Sequence, residues 1–209
     1  MDKDSWIKEQ AWESKWWADC LNTHNEETKQ FLYAGFMGIR IVSSYGVKAF
    51  DAGGQDIIDI GGGPTSMLLK TQTATQAKNS LVLPGMAIRG RGVVADPCIY
   101  PDWIRFRYEA AGIELWDIPG ERLPTNERFD EAWIYNVLQH TMNPQKVIES
   151  AKAVSRMIRI FEWIDTRIAP GHPHSLTKEA LDEWLCTDGK TVRLTGESGC
   201  YGHAYYATV

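Results

Sequence analysis

The chain has 209 residues, of which 44% are hydrophobic and 23% are charged, and it contains no repeat or low-complexity segment. This length and composition predict one globular domain with an ample core. The net charge of −5 and the scattered pairs of arginines argue against a nucleic-acid substrate, because phosphate binding requires a concentrated basic face.

The cysteines and the N-terminus exclude further classes of protein. Cys20, Cys98, Cys186 and Cys200 form no Cys-x-x-Cys pair, so they indicate reduced thiols rather than a metal or cluster site. The first residues lack the apolar core of a signal peptide, and no apolar run reaches the length of a membrane helix. We therefore expect a cytoplasmic protein with no membrane partner.

Two helices are predicted before the first strand. Residues 4–21 carry four tryptophans, largely at helical spacing, and residues 26–37 form a second helix closed by Gly38, with a break at residues 22–25 between them. Aromatic stripes of this kind usually pack into a core, so a purely structural role stays open beside a role at a binding site. We divide the chain into an N-terminal helical extension (1–48) and one compact domain (49–209).

The run from Gln55 to Ser66 (QDIIDIGGGPTS) contains a short apolar segment, three glycines and a helix-forming stretch. This order predicts a buried parallel strand, a tight turn and the start of a helix. Glycine adopts positive φ without strain and lets the backbone approach a ligand closely. Asp59 lies near the carboxyl end of the strand, where open α/β sheets bind ligands.

Further strands follow in chain order. Residues 92–96 form a second strand that ends with Asp96, and residues 113–116 form a third. Residues 129–140 are assigned to a fourth strand with Asn136 at its end, and residues 156–165 form a fifth. A helix begins near Ser175, and residues 191–195 and 201–209 form two last strands. The intervening segment 71–90 is predicted as a continuation of the helix from Thr65 followed by a loop, or as an insertion.

This succession of a strand, an acid and a glycine turn, then Asp96 after the second strand and FD…NVLQH at the fourth, resembles the class I S-adenosylmethionine-dependent methyltransferases over roughly residues 50–165. The resemblance implies an α/β fold with a Rossmann-like, doubly wound sheet of seven strands. That sheet is mostly parallel with an antiparallel last strand, and a helical extension precedes it and packs over the cofactor. It also implies S-adenosylmethionine as cofactor and O-, N- or C-methylation of a small molecule.

The resemblance assigns eight residues to the cofactor: Asp59, Gly61, Gly62, Gly63, Asp96, Pro97, Glu121 and Asn136. The glycines would pass under the methionine and ribose, with Asp59 orienting the turn or bridging by water to the ammonium group. Asp96 would accept both ribose hydroxyls, and Asn136 would lie beside the methionine moiety. Glu121 is the candidate for the adenine contact, because the position of the family's acid falls near Pro119 here.

His140 is the candidate general base. It follows Asn136 by four residues, and imidazole titrates near neutrality, although a structural role stays open. Tyr33, His172 and His174 are candidates for substrate contacts, and Tyr45 is a further pocket candidate. The two histidines of the His-x-His pair lack a third ligand at metal-binding spacing, so no metal is predicted.

Three other functions are weighed. A nicotinamide or flavin site requires Gly-x-Gly-x-x-Gly and an acid about 20 residues further on, whereas Ser66 occupies the third glycine position here. An aminopropyl transferase would need an acidic polyamine pocket, for which no motif is found. A methyltransferase-fold protein without catalysis, acting as a partner or scaffold, is the non-enzymatic alternative. The oligomeric state stays open, with a homodimer as one option.

Overall fold

The chain begins with two helices and a β-hairpin. Helix α1 covers Lys3–Trp17 and α2 covers Cys20–Phe36, while β1 (Arg40–Ser44) pairs antiparallel with β2 (Val47–Asp51). The computed structural model describes residues 3–44, 46–72 and 89–209. Among the helices in these ranges, none is both long and apolar enough to cross a bilayer.

The break between the two helices lies earlier than the sequence predicts. The chain turns at Ala18 and Asp19, and the predicted break at residues 22–25 is wrong because α2 runs through it. Asp19 is the N-cap, and its carboxylate accepts a hydrogen bond from the amide of Leu21 at 2.8 Å. This bond satisfies an amide that has no partner within the helix. The hairpin β1–β2 was not predicted, and the division of the chain at residue 48 stays a prediction.

A sheet of seven strands forms the centre of the fold. Its strands are β3 (Ile57–Ile60), β4 (Gly92–Ala95), β5 (Ile113–Trp116), β6 (Phe129–Tyr135), β7 (Ser155–Ile164), β8 (Lys190–Thr195) and β9 (Tyr201–Thr208). Their order across the sheet is β5-β4-β3-β6-β7-β9-β8, and β9 alone runs antiparallel to the other six strands, so its pairings with β7 and β8 are antiparallel. The predicted fold class and the seven predicted strands are confirmed, but the fourth predicted strand ends at Tyr135, and a 3-10 turn, Leu138–His140, follows it.

The strand order reverses next to β3. The chain passes from β3 to β4 and β5 on one side, then returns to place β6 and β7 on the other side. In register, Asp59 lies between Val94 of β4 and Trp133 of β6. In an open α/β sheet, such a reversal leaves a crevice at the carboxyl ends of the strands, and that crevice binds ligands.

Helices cover both faces of the sheet. The other α-helices among the described residues are α3 (Asp102–Ala110), α4 (Pro144–Val154) and α5 (Lys178–Leu185). Helices α2 and α3 contribute Tyr33 and Tyr108 to the core on one face, while α4 and α5 contribute to the core on the other face. Helix α4 buries Val147, Ile148, Ala151 and Val154, which lie three to four residues apart and therefore form one apolar stripe.

No α-helix directly follows the glycine turn in the described residues up to residue 72. The helix predicted from Thr65 is therefore wrong over that range. Two short 3-10 turns, Gly63–Thr65 and Met67–Lys70, are found instead. The Tyr108 hydroxyl accepts from the amide of Ser66 at 3.2 Å, and the Tyr135 hydroxyl accepts from the amide of Met67 at 3.0 Å. These amides are therefore satisfied by side chains rather than by helical carbonyls. The rest of the predicted helix and loop, residues 73–88, lies outside the described residues.

Candidate functional site

A cavity of about 780 Å³ opens at the carboxyl ends of the parallel strands. This volume lies within the range of small-molecule sites, about 300 to 1,000 Å³. Helix α1, the segment after β7 and the β8–β9 hairpin also contribute residues to its lining. We call the part lined by Gly61, Asp96, Pro97, Pro119, Glu121 and Asn136 the strand-end half, and the part lined by Trp6, Trp12, Glu13, Gln139, His140, Thr166 and His172 the α1 half.

Gly61 lines the cavity directly after β3. Its φ is +72°, and a Cβ at this position would lie only 2.0 Å from Cγ2 of Val137. Both the backbone conformation and the packing therefore require glycine here. Gly62 and Gly63 do not line the cavity, because they pack against Asp59 and against the ring of Trp17.

Asp59 is buried beneath the glycine turn and does not line the cavity. Its Oδ2 accepts hydrogen bonds from the Ser66 hydroxyl and, at 2.5 Å, from the Tyr135 hydroxyl. Burial raises the pKa of Asp59 to about 7, although these two donors oppose the increase. Of the two roles predicted for Asp59, the geometry favours orientation of the turn.

Asp96 lines the cavity at the end of β4. Its Oδ2 accepts from the amide of Gly63 at 3.1 Å, and its Oδ1 accepts from the amide of Cys98 at 2.8 Å. Burial raises the pKa of Asp96 above its ordinary value, while these two amides oppose the increase. Each carboxylate oxygen can accept a second hydrogen bond, so Asp96 has acceptor capacity for two neighbouring hydroxyl groups.

Three other predicted residues, Pro97, Glu121 and Asn136, also line the strand-end half. Glu121 Oε1 accepts from the amides of Met142 and Asn143 at 2.9 and 3.0 Å, so its carboxylate holds the segment before α4. Asn136 has a φ of +53°, and its Nδ2 donates to Glu26 Oε1 at 3.0 Å. The sequence thus located these residues correctly, while their contacts to an adenine or a methionine stay predictions.

His140 lines the α1 half, where two oxygen atoms lie close to its Nδ1. Its Nδ1 lies 2.5 Å from the carbonyl oxygen of Gly171 and 2.8 Å from Oε1 of Glu13. Nδ1 therefore carries a proton, and in the neutral ring Nε2 is left as the acceptor. Burial lowers the pKa of His140, but the Glu13 carboxylate and the Gly171 carbonyl outweigh burial, so the pKa is raised overall.

Glu162 is a residue that the sequence analysis missed. It is buried in β7, and its Oε1 accepts from the amides of Val137 and Leu138 at 3.0 and 3.1 Å. The carboxylate thereby holds the turn between Asn136 and His140. Burial raises its pKa to about 7, although these amide donors oppose the increase. The available signal was an acid in the middle of an apolar strand, which requires buried hydrogen-bond partners.

The three predicted substrate residues lie in different places. His172 lines the α1 half, with its ring centroid 4.4 Å from that of His140. Burial and the neighbouring His140 lower its pKa. His174 does not line the cavity, because its Nε2 lies 2.9 Å from the carbonyl oxygen of Thr141. Tyr33 is fully buried in the core, stacked on Phe161 at 4.5 Å.

The geometry therefore corrects the expectation that Tyr33 and His174 contact a substrate in this cavity. Tyr45 lies outside the described residues. Within the part of the chain that the structure describes, no group of three or more histidine, cysteine, aspartate or glutamate side chains could hold a metal ion. Sequence analysis also missed Glu13 and Gln139, for which no local pattern indicates a place beside His140.

Several solved structures resemble this chain. An N1-methyltransferase of Burkholderia thailandensis, with bound 1,6-didemethyltoxoflavin and S-adenosylhomocysteine, has a TM-score of 0.52 and 15% identity, over 90% of this chain and 80% of that one. The N-methyltransferase NodS of Bradyrhizobium japonicum, in complex with S-adenosylhomocysteine, has a TM-score of 0.52 and 14% identity, over 88% and 84%.

A third similar structure is a Haloferax volcanii complex between the Trm112 methyltransferase activator and a methyltransferase. It has a TM-score of 0.55 and 10% identity, over 87% of this chain and 79% of that one. No family model and no curated protein matches the sequence. At 10 to 15% identity, these likenesses establish the fold of this chain and leave its ligands and chemistry to the geometry of the cavity.

Proposed function

We propose that this chain, which has the fold of the class I S-adenosylmethionine-dependent methyltransferases, binds S-adenosylmethionine and methylates a small molecule. The observation that carries the proposal is the position of Asp96. Its carboxylate lines the cavity at the end of β4, beside the glycine turn, and has acceptor capacity for two hydroxyl groups. A ribose presents two such hydroxyls on neighbouring carbons.

The residues of the strand-end half suit each part of the cofactor. Asp96 would hold the ribose, while Gly61 and Asn136 would lie beside the methionine part. The surfaces of Pro97 and Pro119, with Glu121 nearby, would receive the adenine. When bound, the cofactor supplies a methyl group on a positively charged sulfur, which is reactive toward a nucleophile. The protein contributes binding, orientation and electrostatics.

His140 is the residue that would remove a proton from the acceptor. Because its Nδ1 proton is directed to the Gly171 carbonyl, the acceptor nitrogen of the neutral ring is Nε2, which lies 3.3 Å from the side-chain amide nitrogen of Gln139. Imidazole is a common general base, and the Glu13 carboxylate and the Gly171 carbonyl outweigh burial and raise the pKa of His140 above its ordinary value. Residues of helix α1 line this half and would reduce the access of water to a bound acceptor.

Titration calorimetry with S-adenosylhomocysteine tests the proposal. We expect binding in the micromolar range for the wild type. Asp96→Ala should weaken it by about 1 to 3 kcal/mol, because charge-assisted hydrogen bonds are lost. Asp102→Ala is the matched control, because Asp102 is exposed at the start of α3 and does not line the cavity. It should bind within about twofold of the wild type.

Two outcomes would contradict the proposal at different levels. If the wild type binds no S-adenosylhomocysteine, the proposed function is wrong. If it binds and Asp96→Ala leaves the affinity unchanged, Asp96 does not hold the ribose. Circular dichroism of each variant separates loss of binding from loss of folding, since Asp96 also accepts two backbone amides.

A further inference from the structure

Four buried polar atoms that belong to residues of the α1 half have no hydrogen-bond partner among the described residues. They are Nε1 of Trp6, Oε1 of Glu13, Oε1 of Gln139 and Oγ1 of Thr166. Glu13 and Gln139 are more than nine-tenths buried. An unpaired buried polar group costs about 1 to 3 kcal/mol, so four such atoms on residues that line one cavity favour a ligand that would supply their partners.

The unpaired atoms are mostly acceptors. Glu13 contributes a carboxylate oxygen and Gln139 an amide oxygen, whereas Trp6 contributes one N–H donor. The His140 ring does not satisfy Glu13, because its Nδ1 proton is directed to the Gly171 carbonyl. A ligand that fits this set must therefore bring several hydrogen-bond donors. A hydroxyl group brings one donor, whereas an ammonium group brings three.

The surroundings also favour a cation. The rings of Trp6, Trp12 and Trp16 line the cavity beside Glu13, and tryptophan faces attract ammonium groups. The cationic side chains of the lining do not cancel this preference. Lys29 is paired with Glu26 at 3.2 Å, and Arg167 and Arg193 are exposed at the rim. An anionic ligand group would instead face the unpaired carboxylate oxygen of Glu13.

We propose that the α1 half is an amine-binding subsite, in which Glu13 and Gln139 accept hydrogen bonds from the N–H groups of the ligand and the tryptophans cover its apolar part. This inference rests on the proposed function, and together they identify the methyl acceptor as a small amine. A bound ammonium group also competes with the His140 ring for the Glu13 carboxylate, which favours the neutral ring that a general base requires.

A matched pair of probes tests the subsite by direct binding. Phenethylamine and 2-phenylethanol differ in carrying an ammonium or a hydroxyl group on the same aromatic frame. Titration calorimetry in the presence of S-adenosylhomocysteine should show at least tenfold tighter binding of the amine. Glu13→Gln should remove about tenfold of the amine affinity, because a charge-assisted hydrogen bond is lost, and should leave binding of the alcohol unchanged.

Glu9→Gln is the control for this variant. Glu9 lies one turn earlier on α1, does not line the cavity, and accepts a hydrogen bond from the amide of Gly171, which glutamine can also accept. It removes the same charge from the same helix and should bind the amine within about twofold of the wild type. Circular dichroism checks that both variants are folded.

The outcomes separate the subsite from the proposed function. Equal binding of alcohol and amine, binding of neither probe, or an unchanged amine affinity in Glu13→Gln would each overturn the subsite. If Glu13→Gln instead weakens S-adenosylhomocysteine alone, Glu13 belongs to the cofactor site and the subsite is also overturned. A protein that prefers the amine in the absence of S-adenosylhomocysteine, but never binds that compound, would retain the subsite while contradicting the methyltransferase proposal.

Discussion

The two halves of the cavity differ in how their polar groups are satisfied. In the strand-end half, Asp96 and Glu121 accept hydrogen bonds from backbone amides, and Asn136 donates to Glu26. In the α1 half, Glu13 and Gln139 have buried oxygen atoms with no partner among the described residues. The fold itself supplies partners for the polar groups of the first half, whereas the proposed amine would supply the donors that the second half lacks.

This difference has a structural origin. The strand-end residues follow β4 and β6, whose positions are set by the register of the sheet. The α1 residues reach the cavity through a few separate contacts, such as the bond from Gly171 to Glu9 and the packing of Trp17 on Gly63. Substitutions in α1 can therefore change which ligand is accepted without disturbing the sheet.

The largest expected effect is on turnover, and it should involve the α1 half and leave cofactor binding in the strand-end half unchanged. His140→Ala should lower turnover of an accepted amine by 10²-fold or more, because the general base is lost, while the S-adenosylhomocysteine affinity stays within about twofold. The wild-type rate should fall as the pH drops through the raised pKa of His140, above its ordinary value of 6.5, since only the neutral ring accepts a proton. The variant should lack this limb. Steady-state kinetics across pH and calorimetry measure both effects.

His174→Ala is the control, because His174 lies outside the cavity lining and contacts the Thr141 carbonyl. Its rate and pH profile should follow the wild type. An unchanged rate in His140→Ala would make His140 structural and leave proximity and orientation as the source of catalysis.

A smaller effect tests whether the strand-end half is tied to folding. Gly61→Ala should reduce the free energy of unfolding by about 2 to 3 kcal/mol, since alanine is strained at positive φ and its Cβ meets Val137. Adding Val137→Ala to Gly61→Ala should recover the free energy of unfolding that is lost through the Cβ contact. It should not recover the free energy that is lost because alanine is strained at positive φ. Urea unfolding of the two single variants and the double variant gives the coupling energy. Strictly additive losses would show that the Val137 contact does not limit this position.

The effect that is smallest per pH unit concerns the acid beneath the glycine turn. The pKa of Asp59 is raised to about 7 from an ordinary value of 3.8, so the folded state binds more protons than the unfolded state between these values. Asp59 should therefore make stability fall as the pH rises through this window, by up to about 1.4 kcal/mol per pH unit. In urea unfolding at pH 5, 6 and 7, the free energy of unfolding of Asp59→Asn should depend on pH less steeply than that of the wild type, by that amount. The exposed control Asp102→Asn should have the wild-type slope. Equal slopes in all three proteins would contradict the raised pKa.

The sequence predicted the features that depend on local pattern. The apolar segment before Gly61, the acid at Asp96 and the polar end of β6 at Asn136 are each encoded within a few neighbouring residues, and all three lie where the prediction placed them. The helix from Thr65 failed because hydroxyls of Tyr108 and Tyr135, distant in sequence, take the amides of the turn. No local pattern contains that information.

The α1 half was the least predictable part of the site. The tryptophans of α1 were recognised as an aromatic stripe, but a stripe does not reveal which surface it covers. Tyr33 was chosen for a similar reason, and it packs instead in the core against Phe161. Glu13 resembles any other charged residue of a surface helix until the fold brings it to 2.8 Å from His140. Such a pairing depends on topology rather than on composition.

The docking of α1 also sets when the cavity is completed during folding. Gln10 meets Cys98, and Glu9 meets Gly171, across separations of 88 and 162 residues. Helix α1 leaves the ribosome before these partners are synthesised, and contacts across such distances carry the largest loop-closure entropy. A ligand that contacts both α1 and the strand ends stabilises the docked position of α1. Occupancy of the cavity and docking of the first helix are therefore thermodynamically linked.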